Sequence, residues 1–144
     1  THHRSSAASD VYKRQIGVFL GVSYTDPSTG QATFNQYYPA STNASDIMAY
    51  VASDPFLIMQ MQSDESLTQD DLGKNVAVVQ TAGSTAVGTS KNAVDGSTAA
   101  TTNTLPLKII DFVEGSDSAI GDSFTDVLVM FNAGHQLLNT TGIG

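Results

Sequence analysis

The chain has 144 residues, enough for one domain with a core and too few for two comfortable ones, with a formal charge of −8, 14 % charged residues and no cysteine. The missing cysteine excludes disulfide frameworks and thiolate metal sites, and six basic residues against fourteen acids exclude the Lys- and Arg-rich footprint that phosphate backbones demand. No apolar run approaches the length of a membrane span, so neither nucleic acid nor membrane is an expected partner.

The first fifteen residues stand apart. Both arginines, Arg4 and Arg14, lie there. The stretch SSAASDVYKRQ (5–15) has the look of a short basic arm, yet it coincides residue for residue with a reading-frame translation of the adapter used in transposase-based sequencing libraries. Residues 1–15 are therefore expected to be a non-native leader outside the fold. Without them Lys74, Lys91 and Lys108 face thirteen acids, a formal −10. Ile16 opens inside an apolar run, so the single β domain expected over 16–144 is also expected to lack its native N-terminal segment.

In chain order, IGVFLGVSYT (16–25) is β-branched and aromatic, with Val18, Leu20 and Val22 on one alternating face, and predicts a strand. DPSTGQ (26–31) is turn chemistry, Pro27 fixing φ and Gly30 permitting positive φ; ATFNQYYPA then resumes an extended pattern, closing a β-hairpin. A short strand is expected over 47–51, a break at Asp54 and Pro55, and a strand over 56–62. In that strand Phe56, Ile58 and Gln60 share one face and Leu57, Met59 and Met61 the other; Pro55 and the short length argue against a helix there. SLTQDDLGKN (66–75) is the one short helical piece, capped by Ser66 or Thr68 and stopped at Gly73.

VAVVQ (76–80) predicts a buried strand, and 82–104, built of Gly, Ser, Thr, Ala and Asn, predicts a long loop or arm, either made to lie against a surface or simply floppy. TLPLKIIDFV and FTDVLVMFN give two more strands around the turn-rich EGSDSAIGDS, and the tail after Asn132 is expected to fray. Together these predict an all-β domain, a small antiparallel β-barrel or sandwich with a long Ser/Thr/Ala/Gly loop and at most one short helix.

Little in the sequence points to chemistry. Asp111, Glu114, Asp117, Asp122 and Asp126 crowd one acidic stretch, and Asp117 and Asp122 are the weak calcium candidates, although the spacing is not that of an EF-hand loop. Past the leader His135 stands alone, no G-x-S-x-G is present, and AGSTAVGTSK lacks the Gly-Lys-Ser/Thr of a phosphate loop. Neither an enzyme nor a cofactor is expected. Tyr37 and Tyr38 in QYYPA offer flat apolar faces with polar tips for a sugar or protein contact, against the plainer reading of one tyrosine inside and one outside.

The run GVFLGVSYTDPSTGQATFNQYYPASTNASDIMAYVASDPFLIMQMQSD, with the later GSTAVGTSKNAVDGSTAATTNTLPLKIIDFVEG and IGDSFTDVLVMFNAGH, resembles uncharacterised virion structural proteins of marine tailed phages. Those proteins share a G-V-F-x-G hairpin, a YYPAST or YWPA turn and an acidic break before a strand. The resemblance spans 16–144 and implies a capsid decoration or cement protein on the capsid exterior, with a β-barrel or β-tulip-like domain. Its implied partners are the major capsid protein and copies of itself, as a dimer or trimer. Contacts are expected from the two-faced strand (Phe56, Ile58, Met59, Met61), from Tyr37 and Tyr38, and from Val87 and Val94 in the arm. The competing class is a fibre or adhesin domain using Tyr37, Tyr38 and calcium at Asp117 and Asp122.

Overall fold

A computed structural model describes residues 17–136; residues 1–16, with the expected leader 1–15, and the tail from 137 onward lie outside the described residues. Among the described residues eight strands form two antiparallel sheets, one of three strands and one of five, packed as a sandwich-like all-β fold that does not close into a barrel. No α-helix occurs among the described residues.

The small sheet comes first in the chain. β1 (Val18–Thr25) turns at 26–31 into β2 (Ala32–Asn35), and β3 (Met48–Ala52) pairs on the other side of β1, giving the order β2-β1-β3. The hairpin follows from its turn chemistry. The Asp26 carboxylate accepts from Ser28 N at 2.7 Å, Gly30 N donates to Asp26 O at 2.7 Å, and Gly30 takes φ 71°, a left-handed value that glycine adopts without steric cost. β1 does not alternate as the sequence suggests. Its register with β3 jumps between Phe19 and Gly21, so Leu20 is the extra residue of a β-bulge. Leu20 is 64 % exposed, while Val22 and Tyr24 point inward and are buried.

The large sheet holds the core. Its strands are β4 (Met59–Gln62), β5 (Asn75–Val79), β6 (Ala93–Ala100), β7 (Leu107–Phe112) and β8 (Asp126–Phe131), in the order β4-β8-β7-β5-β6. Leu107 and Ile109 of β7 face Val127, Val129 and Phe131 of β8, with Leu67, Val76 and Val94 closing the cluster. A second bulge, between Ile109 and Asp111, shifts the inward phase by one, which is why Phe112 rather than Asp111 joins the core. Each such aliphatic or aromatic side chain removed from water contributes roughly 1.5–3 kcal/mol before ordering costs. The two outer strands of this sheet approach at one end only. A single parallel bridge joins Ser63 to Val94, and Asp64 N donates to Val94 O at 3.0 Å.

Two expectations need correction. The 82–104 arm is not one long loop, because its second half is the eight-residue strand β6. Small residues make that strand irregular: between Asn75 and Ala77 the partner positions run from Ala100 to Asp95, and the extra residues are held by Thr98, whose Oγ1 donates to Asp95 O and accepts from Ala77 N. The strand predicted over 56–62 shortens to β4, since Asp54 folds the preceding residues into a turn, with Leu57 N donating to Asp54 O. The short helical piece is present where expected, as one 3₁₀ turn, Gln69–Asp71, with Thr68 at its cap and the Asp71 carboxylate accepting from Thr68 N at 2.9 Å.

Candidate functional site

The outer face of the small sheet is the most unusual surface of the molecule. On the strand pairs Ser23 with Phe34 and Gly21 with Tyr50, the two aromatic residues flank β1 across small side chains. Nothing bulky on β1 separates them, and their rings stack with centroids 6.4 Å apart at 28°. Ser23 Oγ and Tyr50 Oη lie 3.1 Å apart, fixing the tyrosine over the sheet. Leu20, pushed out by the bulge, and Met48 extend this platform at 64 % and 62 % exposure, and Phe34 itself is 74 % exposed. An open groove lined by Leu20, Gly21, Phe34, Asn35, Gln36 and Tyr50 runs along it.

No charged side chain belongs to β1, β2 or β3. The acid at the start of β3, Asp46, is turned back onto β1: its carboxylate accepts from Thr25 Oγ1 at 2.6 Å and from Thr25 N at 3.0 Å. These two bonds, the hydroxyl's first, hold the Asp46 carboxyl below the usual carboxylate range. The platform is thus both apolar and uncharged.

The inner face of the same sheet is covered by the chain's own loop. The Tyr38 ring meets Tyr24 edge-on at 5.2 Å, and its hydroxyl donates to Thr42 O at 2.7 Å and accepts from Ala44 N at 3.2 Å. Tyr37 lies over Gly88, where φ is 68° and a β-carbon would overlap the ring; beside it Gln36 Nε2 donates to Val87 O at 3.3 Å. These two contacts tie the small sheet to the β5–β6 loop. Tyr37 and Tyr38 are thus both half-buried, and each is engaged with another part of the same chain.

The other predicted contact residues separate into two groups. Phe56 and Ile58 are 67 % and 56 % exposed, and Val87 on its loop is also exposed. Met59 and Met61 pack half-buried against the core, and Val94 lies wholly within it, so Val94 is withdrawn from any surface. Asp117 and Asp122 do not gather a cation site. Asp122 Oδ2 accepts from Ala119 N at 2.8 Å within its own turn, and among the described residues no three His, Cys, Asp or Glu side chains converge to hold a metal. His135 is buried in a 3₁₀ turn after β8.

Sequence reasoning missed the platform. Its alternation signal was present in ATFN and MAYVA, but the bulge at Leu20 inverts the face that alternation assigns to that residue. Comparison with protein-family models, with curated proteins and with solved structures finds no match for this chain.

Proposed function

We propose that this chain is a non-enzymatic structural protein of a tailed-phage virion, a capsid decoration protein that binds the outside of the shell and copies of itself. The supporting observation is where apolar surface is left open. Among the described residues, eight of the eleven large hydrophobic side chains that stay exposed fall between Leu20 and Ile58, although the core is built from Leu67 onward. Concentrated apolar exposure of this kind marks a contact surface. Phe56 and Ile58, on the connection between the sheets, are assigned to the shell. Repetition over many copies makes even modest single contacts hold. The sequence resemblance to marine phage virion proteins points the same way.

A second reading is favoured by one observation. The Phe34–Tyr50 pair beside an open groove is also the surface a fibre or adhesin domain would offer to a sugar face. Copy number separates the two. Quantitative mass spectrometry on purified marine virions would follow the tryptic peptides NVAVVQTAGSTAVGTSK and NAVDGSTAATTNTLPLK against the major capsid protein. A ratio near one copy per capsid subunit is the expected result; a few copies per particle would favour the fibre, and absence from virions would end both readings.

A further inference from the structure

We infer that the outer face of the three-stranded sheet is a self-association surface, on which the same face of a second copy stacks to form a two-fold dimer. The area is of the right size. Leu20, Phe34, Met48 and Tyr50 are 64 %, 74 %, 62 % and 46 % exposed. Scaled to side chains of this size, they offer roughly 500–600 Å² of open surface, against about 800 Å² per partner in a stable interface, before Ser23 and the main chain are added.

Charge selects the occupant. Every copy carries a formal −8, so two copies meet at least electrostatic cost where neither presents a charge. The strands of this sheet carry none, and the neighbouring Asp46 carboxylate is bonded back to Thr25. Shape agrees with charge. A flat apolar sheet face is matched by another such face about 10 Å away, and an isologous contact supplies that partner automatically. The loop carrying Tyr38 already covers the inner face, so the second copy would complete a sandwich around a sheet that three strands alone barely sustain.

The inference rests on this surface and not on the virion reading. The test uses the full chain, which contains no cysteine, so one introduced thiol reports position without background. Light scattering coupled to size exclusion is expected to give twice the 15.1 kDa chain mass. Phe34→Lys is expected to weaken the dimer by at least about 100-fold. Leu20→Cys should be joined to the same thiol of the second copy by a short bis-maleimide able to cross faces about 10 Å apart, whereas Leu72→Cys, exposed beside the large sheet, should not. Phe34 is solvent-facing in the single chain, so at a concentration where both proteins are monomeric its variant should keep the wild-type unfolding midpoint; if it fails to fold, the cross-linking pair decides. A monomer at about 100 µM, a trimer, a dimer indifferent to Phe34→Lys, or cross-linking at Leu72 in place of Leu20 would each overturn the inference. A dimer behaving as expected in a protein absent from virions would sustain it while removing the proposed function.

Discussion

The five-stranded and three-stranded sheets use the same residue types to opposite ends. In the large sheet Ile109, Val127 and Val129 are wholly withdrawn from water, and β7 and β8 alternate inward apolar with outward mixed positions. In the small sheet Leu20, Phe34, Met48 and Tyr50 are as apolar, yet face solvent. One sheet spends its hydrophobic surface on stability and the other leaves it open, which is the division expected when a scaffold presents a contact face.

The sharpest way to break this contrast is to truncate one residue in each. Ile109→Ala leaves a cavity among Val76, Val129 and their neighbours and is expected to cost about 2–5 kcal/mol. Phe34→Ala removes a larger side chain but one already 74 % exposed, and its cost to the unfolding free energy is expected to stay within about 0.5 kcal/mol. Denaturant unfolding of both variants, at a concentration where the protein is monomeric, measures the difference. Equal losses would show that the small sheet is as much a part of the core as the large one.

Most of this architecture was legible in the sequence, and the exceptions have physical causes. The 16–25 strand, the Asp26 to Gln31 turn, the VAVVQ strand and the pair β7 and β8 were readable because β-branched runs and turn residues coincide there. Bulges were not, because an extra residue is set by pairing with a distant strand; both inverted a face, at Leu20 and after Ile109. β6 was hidden by its composition, since Ala, Gly, Ser and Thr carry no strand signal, and its ladder is repaired by the Thr98 hydroxyl. The platform itself was not legible, because the Phe34–Tyr50 stack depends on the strand order β2-β1-β3; Phe56 and Ile58, read as strand residues, lie exposed just before β4.

A smaller effect is expected where the small sheet is stabilised from within. Tyr38→Phe keeps the ring against Tyr24 but strips Thr42 O and Ala44 N of their shared partner. Both groups are near the surface and can recruit water, so the loss is expected to be about 1 kcal/mol. Amide exchange should rise at Ala44 and along β1 and β2 while β7 and β8 keep their protection. Uniform loosening of both sheets would mean that the loop supports the whole fold.

Acid separates the two regions by the least energy and the clearest signal. Asp71, beside the large sheet, is held below the usual carboxylate range first by Lys74, whose Nζ donates to its Oδ1 at 2.8 Å, and then by Thr68 N. Asp46, at the small sheet, is lowered first by the Thr25 hydroxyl and then by Thr25 N. A carboxyl whose folded value is depressed contributes stability that is complete above its unfolded value, about 3.9, and is lost as pH falls through the folded value. The partly exposed Asp71–Lys74 pair is therefore expected to supply no more than about 1 kcal/mol at neutral pH. Asp71→Asn should lie below wild type at pH 7 and converge with it in acid. The amides of Thr68 and Thr25 report the two carboxyls directly, so an NMR titration should show each shifting below about pH 3.9. Both steps are expected to lower the unfolding midpoint, the Asp71 step by more, because Asp46 lies in solvent at the exposed end of a sheet that carries little of the core. A midpoint that followed the Thr25 amide instead would place the stability of the domain in the wrong sheet.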